Sequence, residues 1–356
     1  MAAKHVKPDF SQSQVSEIVK RLFRLTASKV HSLPSYDDQN FYVASTEGGE
    51  YVLKIMNSED SKNTALIEMQ TYAMTFLHQN GLPAQTAVPT TSGQLMSVEE
   101  MDCGYGCQKY LVRLLTYLPG TTICKVPLTP QILYETGKTA AKMDIILNKM
   151  EHPQLSVLQR ENFIWSLSNM ALLEPYVHLL DGDPLQEVVT SVIHHHKISV
   201  NPQRTNFRKC INHGDFNDLN VLVQPDENDG YRISGILDFG DMNDGYYIHE
   251  LAITLMYMMI EHPEPVQVGG PVLAGWESVL PLNEAEKDCL YLLVLSRFCQ
   301  SLLLARHSVS LHPENAEYLT ITSKRGVFIV RQLWELGKEQ VEKVWFQTAA
   351  QFSDSK

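Results

Sequence analysis

Three side chains near the middle of the chain have the types and spacing to handle a phosphoryl group. Asp215 follows Ile211-Asn212-His213-Gly214, and Asn220 comes five residues later, opening the apolar run Val221 to Val223. A second apolar run, Ile233 to Leu237, leads into Asp238-Phe239-Gly240. The Asp/Asn/Gly-rich stretch Pro225 to Gly230 lies between the runs, so they predict a β-hairpin. A hairpin brings its ends together, which places Asp215 and Asn220 beside Asp238. Asp215 is then a candidate base. Asn220 and Asp238 offer hard oxygen ligands suited to Mg²⁺, which retains waters and needs few protein donors. Phosphoryl transfer calls for this set, because the group in transit is highly charged and the protein must mainly position and neutralise it.

Each motif alone is weak. Asp is a common turn-capping residue, and His-Gly-Asp or Asp-Phe-Gly taken singly reads as a turn. The joint order is more specific. His213-Gly214-Asp215 stands where kinases carry His-Arg-Asp, the step to Asn220 is the kinase step, and Asp238-Phe239-Gly240 supplies the metal-binding triplet.

Positioning these groups takes the rest of the chain. Val15, Ile18, Val19, Leu22 and Phe23 recur at helical spacing, predicting an amphipathic helix over 13–24. Strand-like segments follow at Lys29 to Leu33, Gln39 to Ser45 and Glu50 to Met56, the last two joined by the Glu47-Gly48-Gly49 turn. They predict an antiparallel meander. Lys54 lies in the third strand, and Thr64 to Gln79 reads as a helix ended by Gly81 and Pro83. Gln94 to Val98 and Lys109 to Thr116 read as further strands, separated by an exposed Cys103-Gly104-Tyr105-Gly106-Cys107 loop. Tyr117-Leu118-Pro119-Gly120 breaks the pattern, and helices dominate thereafter: Gln131 to about Asn148, with Gly137 and alanines marking close packing, then Ile248 to Ile260, Glu284 to Arg306, and amphipathic helices over 313–350.

Over roughly residues 30 to 310 the chain resembles the aminoglycoside phosphotransferase and choline kinase group of small-molecule kinases, whose catalytic loop reads His-Gly-Asp followed by Asn. Long stretches carry the likeness: Leu33 to Phe41, Tyr110 to Gly120, Arg160-Glu161-Asn162-Phe163-Ile164-Trp165, and Ile236 to Met242. The resemblance implies an α+β, bilobal, protein-kinase-like fold. Residues 1–116 would form a nucleotide-binding lobe, 117–120 a hinge, and 121–356 a helical catalytic lobe. It further implies that Lys54 grips the α and β phosphates in an ion pair with Glu68. Ser35-Tyr36-Asp37-Asp38-Gln39-Asn40 would cover the phosphates. That loop lacks the glycines that let backbone approach phosphate, so Ser35, Gln39 and Asn40 are candidate side-chain contacts, and Leu115 to Tyr117 are candidate backbone contacts to the base. The member of the group most similar through these stretches implies GTP as donor, with ATP the alternative, Mg²⁺ as cofactor, and 5-hydroxy-L-lysine as acceptor.

An amino-alcohol acceptor carries a cation, for which Asp241, Asp244 and Glu250 are candidate partners. Glu250 equally suits a supporting role. Trp165 either faces the acceptor or fills the core, and Arg113 and Arg160 are possible carboxylate clamps. Choline, ethanolamine or an aminoglycoside remain alternative acceptors. A catalytically inactive kinase-fold binding module is the alternative outside enzymes, although it would be expected to have lost Lys54, Asp215, Asn220 or Asp238. A protein kinase would carry Ala-Pro-Glu and a long activation segment, and neither is found.

Composition narrows the class. A net charge of -12, from 41 acidic and 29 basic residues, disfavours nucleic acid and favours cationic small molecules. The six cysteines form no paired Cys-x-x-Cys set for zinc, and His194-His195-His196 point in different directions on a helix. Reduced thiols, an N-terminus without an apolar leader, and apolar runs at Leu251 to Ile260 and Leu290 to Ser296 shorter than a membrane span suggest a cytoplasmic protein with no membrane partner.

Overall fold

Ser11 sets the start of the first helix: its hydroxyl accepts from the Gln14 N–H while the Gln14 side chain returns to the Ser11 N–H, a reciprocal cap. The computed structural model describes residues 7–35, 37–104, 106–227, 230–311, 313 and 323–354. Tyr36, Tyr105, the turn residues Asn228 and Asp229, and 314–322 of the predicted C-terminal helices lie outside them. The chain divides into two units, Met1–Pro119 with Glu151–Val157, and Gly120–Met150 with Leu158–Lys356.

In the first unit, α1 (Gln12–Phe23) is followed by β1 (Ala27–Leu33), β2 (Gln39–Ser45), β3 (Glu50–Ile55), α2 (Thr64–Gln79), β4 (Ala87–Val88), β5 (Ser97–Asp102) and β6 (Cys107–Thr116). The antiparallel sheet runs β1-β2-β3-β6-β4, with β5 also on β6. The expected meander is present, and β6 joins its open side. Val15, Ile18, Val19 and Phe23 of α1 belong to one core cluster with Phe41, Val43, Leu53, Ile55, Tyr110, Val112 and Leu114. Burying each such large apolar side chain contributes roughly 1.5–3 kcal/mol, which is why periodicity alone located the helix. The later segment 151–157 completes this unit: the His152 ring lies 4.8 Å from that of Tyr72, whose hydroxyl donates to the Glu151 carbonyl.

The second unit contains β7 (Thr121–Thr122), α3 (Pro130–Leu147), α4 (Leu185–His195), the single turn α5 (Asn201–Gln203), β8 (Lys209–Asn212), β9 (Val221–Pro225), β10 (Tyr231–Ile236), β11 (Asn243–Tyr246), α6 (Tyr247–Glu261), α7 (Gly269–Glu277), α8 (Glu284–Leu311) and α9 (Ser323–Asp354), with a break in α9 at Gly337. Two small sheets, β10-β9-β7 and β11-β8, sit among the helices. Gly137 of α3 and Gly275 of α7 let these helices touch backbone to backbone. A Cβ at Gly137 would stand 2.0 Å from the Val272 carbonyl oxygen, and one at Gly275 1.9 Å from that of Tyr134. Among the described residues one helix, α8, is long and apolar enough to cross a bilayer, yet 83% of its apolar window is buried inside the fold. It is a core helix.

Candidate active site

The β9–β10 hairpin aligns Ile236 with Val221 and Gly235 with Leu222. Beyond the last pair, the Leu237 N–H donates to the Asn220 carbonyl at 2.8 Å, so Asp238 begins where Asn220 ends. Asn220 Nδ2 donates to the Asp215 backbone oxygen at 3.0 Å and to its carboxylate at 3.1 Å. Asn217 Nδ2 donates to the other Asp215 oxygen at 2.9 Å, and its own side-chain oxygen accepts from the N–H groups of Leu219 and Asn220. The loop is therefore closed by its own amides. Asp238 adopts φ 55°, a left-handed conformation that Asp tolerates better than most residues. Its carboxylate accepts from the Gly240 N–H at 3.2 Å.

This loop rests on side chains from other elements. His213 is buried; its Nδ1 accepts from the Asp215 N–H and its Nε2 donates to the Leu237 carbonyl, so one ring joins both ends of the hairpin. The Phe239 ring packs against it edge-on at 4.7 Å. Gly214 takes φ +85°, and a Cβ there would stand 2.5 Å from the Asp241 carbonyl oxygen, so only glycine fits. The Gly214 N–H donates to Glu250 of α6 at 3.1 Å. Glu250 is fully buried, which assigns it to holding the loop and removes it as an acceptor contact. Beside it lies Asp144 of α3, also fully buried, receiving a 2.9 Å bond from Asn212 Nδ2. Burial, and then the neighbouring Glu250 charge, push the Asp144 carboxyl well above the usual carboxylate range. Among the described residues, each of the two facing acids keeps one buried oxygen without a hydrogen-bond partner, and burial favours the protonated form of Asp144.

Arg297 of α8 is the largest addition to the sequence reading. Its guanidinium is 1% exposed and donates to the Trp165 carbonyl at 3.0 Å, the Gly214 carbonyl at 3.2 Å and the Asp215 carboxylate at 3.3 Å. The rings of Trp165 and Tyr257 flank it at 4.9 and 5.5 Å. Burial raises the Asp215 pKa, Arg297 opposes that rise, and Asp238 adds to it. The signal for Arg297 was present as a lone charge in the apolar run Leu290 to Leu304. A helix interior seldom keeps such a charge without a partner.

Among the acceptor candidates, Asp241 lies with this group. Burial pushes its pKa to about 8, and the nearby Asp215 and Asp238 charges add to the shift while Arg297 and Arg160 oppose it. Arg160 donates to the carbonyls of Gly240 and Met242, on either side of Asp241, with its guanidinium 3.5 Å from the Phe163 ring centre. It sets the loop that carries Asp241. Trp165 reaches the site through Arg297. Asp244 does not: it is exposed on β11, opposite Ile211 of β8. That pairing of Asn243–Tyr246 with Lys209–Asn212 was absent from the sequence reading.

In the first unit, the Lys54 ammonium pairs with Asp38 at 3.0 Å. The expected partner, Glu68, is exposed on α2 and makes no ion pair among the described residues. Asp38 stands at the entrance to β2, where the β2–β3 register sets Asn40 opposite Lys54, and its second oxygen accepts from the N–H and Nδ2 of Asn57. Sheet register brings Asp38 close to the lysine, while helix periodicity leaves Glu68 facing outward. Gln39 is also corrected. Its amide bonds the backbone N–H and carbonyl of Phe10, so it anchors the N-terminal segment. The Ser35 carbonyl accepts from Lys7. Asn40 keeps a buried side-chain oxygen without a hydrogen-bond partner among the described residues. Leu115 is buried between Val52 of β3 and Ala87 of β4. The N–H groups of Thr116 and Tyr117 donate to Thr86 and Glu50, which removes the Tyr117 N–H as a base contact; its ring lies edge-on to Tyr42 at 5.1 Å. Arg113 is buried and donates to Thr71 Oγ1, a core role rather than a carboxylate clamp.

The donor set suits a hard cation. Asn220 directs its Nδ2 at Asp215, which leaves its Oδ1 as a ligand, and the exposed Asp238 adds a carboxylate. No group of three or more His, Cys, Asp or Glu among the described residues could hold a metal by itself. Two oxygen ligands completed by phosphate and water match the habits of Mg²⁺.

The phosphotransferase enzyme family model matches residues 29–285, and the chain belongs to that family. It is 64% identical over 352 residues to a hydroxylysine kinase of Danio rerio, covering 99% of each chain. To a hydroxylysine kinase of Bos taurus it is 50% identical, covering 97% of this chain and 95% of the relative. Among solved structures, an amicoumacin kinase in complex with AMP-PNP, Ca²⁺ and Ami superposes with a TM-score of 0.66 at 16% identity, over 89% of this chain and 93% of that one. A microcompartment-associated aminopropanol kinase gives 0.64 at 16% identity, over 91% and 98%. The protein is thus a kinase-fold phosphotransferase that uses an alcohol as acceptor. Its likeness to hydroxylysine kinases runs from end to end.

Proposed function

We propose that the protein transfers the γ-phosphoryl group of GTP to the 5-hydroxyl of 5-hydroxy-L-lysine. The observation that carries this reading is the 64% identity, over 99% of both chains, to a relative named hydroxylysine kinase; GTP as donor is the expectation carried over from the sequence resemblance. The geometry supports the chemistry. Asp215 is held by Asn217, Asn220 and Arg297, with a raised pKa that suits a base receiving the hydroxyl proton. Asn220 and Asp238 would hold Mg²⁺, which supplies charge neutralisation to the phosphates when bound. Lys54, kept in place by Asp38, contributes a cation for the α and β phosphates. Six free cysteines fit a reducing cytoplasmic setting, and the reaction suits the breakdown of lysine-derived amino acids.

The test is a donor-by-acceptor assay. Purified protein with Mg²⁺ is offered GTP or ATP together with 5-hydroxy-L-lysine, choline or ethanolamine, and nucleoside diphosphate release is followed. Fastest release with GTP and 5-hydroxy-L-lysine is expected. Preference for choline or ethanolamine would replace the acceptor, preference for ATP the donor, and acceptor-independent silence with every pair would sink the catalytic reading.

A further inference from the structure

One face of α6 extends from the catalytic loop toward a cavity that the reaction has not yet used. Glu250 holds Gly214. Two turns along, Tyr257 lies against Arg297, with Asp215 and Asp218 as charged neighbours. One turn further, Glu261 ends the helix and faces Asp218. Asp218 is 3% exposed, and its carboxyl is hydrogen-bonded to that of Glu261. Glu261 in turn has the Arg325 guanidinium as its charged neighbour, so an acid and a base stand together at this end of α6. Beyond Glu261, a cavity of about 470 Å³ is lined by Ile260, Glu261, Pro263 and Arg325. Arg325 donates through Nε and Nη2 to the carbonyls of Ile260 and His262. Its Nη1 takes no partner among the described residues, so one edge of the guanidinium fork remains for a carboxylate.

An acid and a fork-shaped base side by side are complementary to an ammonium and a carboxylate on one carbon. We propose that Glu261 and Arg325 form the recognition site for the α-amino and α-carboxylate head of the acceptor, with its hydroxyl at Asp215. This rests on the reading of the reaction given above and adds which end of the acceptor is recognised, and by what. The dimensions agree. Four residues of helix, from Tyr257 beside Asp215 to Glu261, rise about 6 Å. Bonds of ~1.5 Å put the hydroxyl oxygen of an extended 5-hydroxy amino acid about 6 Å from its carboxylate carbon. An acceptor lacking this head, such as a simple amino alcohol, would leave Arg325 unused.

The experiment compares three acceptors: 5-hydroxy-L-lysine, its decarboxylated counterpart 1,5-diaminopentan-2-ol, and its α-deamino counterpart 6-amino-5-hydroxyhexanoate. Wild-type protein is expected to favour the intact amino acid by at least tenfold in kcat/KM. Arg325→Gln should raise KM for 5-hydroxy-L-lysine by about 10- to 100-fold, the range of one lost charge-assisted pair, with kcat and nucleotide KM within about twofold. Its KM for the diamine should not move. Glu261→Gln should erase the advantage over the deamino acid. Because Arg325 also caps α6, Arg325→Lys is measured alongside; it keeps the charge, loses the fork, and should still weaken the amino acid selectively. Variants that retain wild-type preference among the three acceptors, or a wild-type protein that phosphorylates the diamine as well as the amino acid, would overturn the head-group site while leaving the kinase reading intact. A wild-type protein inert toward every 5-hydroxy amino acid would instead show that the reading beneath it had failed, and the site would fall with it.

Discussion

Lys54 in the first unit and Asp215 in the second are both shielded charges held by a group of opposite sign, but the partners come from different distances along the chain. Asp38 is one hairpin away from Lys54. Arg297 is 82 positions from Asp215 and on a helix whose other work is core packing. The first pair can form as soon as two strands align. The second exists only once α8 has docked, and it joins the Asp215 carboxylate to Gly214 and Trp165 in the same step. The chemistry proposed for the second unit is therefore tied to its global fold, whereas Lys54, the proposed phosphate-binding cation of the first, depends on a local register.

The largest effect should come from Asp215→Asn, which keeps the side-chain shape, removes the base and leaves one accepting oxygen where there were two. Turnover is expected to fall roughly 10²- to 10⁴-fold with nucleotide affinity little changed, as read by steady-state kinetics beside nucleotide titration. Unimpaired turnover would take Asp215 out of the mechanism. Arg297→Met tests whether fold and site are coupled. Removing this buried cation leaves Asp215 without its counter-charge and two carbonyls without that donor, which should cost about 3 kcal/mol of stability in urea unfolding and lower turnover in the fraction still folded. A variant as stable as wild type would separate the two.

Asp241 gives a smaller, pH-dependent contrast. Its folded pKa of about 8 lies above the ordinary value of 3.8, so between those limits the folded state binds more protons than the unfolded one. Stability should thus decline as pH rises from about 4 to about 8. In the absence of ligands, Asp241→Asn should flatten that slope and be the more stable protein at pH 8, by about 1 kcal/mol or more, in melts across pH. An unchanged slope would mean that Asp241 does not carry the shifted proton. The smallest effect is expected for Glu68→Gln, with nucleotide KM within about twofold, while Asp38→Asn raises it several-fold. The reverse ranking would restore Glu68 as the partner of Lys54.

Legibility followed the same division. The β9–β10 hairpin and the convergence at its ends could be read because apolar runs and turn residues are local signals, and α1 because its buried face repeats every turn. The partner of Lys54 was misassigned since a helix pattern shows which face is buried but not which charge lies nearest. Pairing of β8 with β11 left no alternation to read in Asn243-Asp244-Gly245-Tyr246. Glu250 was visible as an acid on the right helix, but its burial under Gly214 was not. Asp144, in a stripe of alanines and isoleucines, and Arg297, in a run of leucines, were charges that contradicted their surroundings. Residues of that kind merit a functional reading before they have a known partner.

The first unit is not one continuous piece of chain. Its Tyr72 face is completed by Glu151 and His152, which follow α3 of the other unit. During synthesis, the sheet that carries Lys54 emerges first but must wait, with that face uncovered, until residue 157 has left the ribosome. By then the opening helix of the second unit is already out. A gene fragment ending at Pro119 would therefore yield an unfinished body, and neither half could be shuffled onto another kinase by a single crossover.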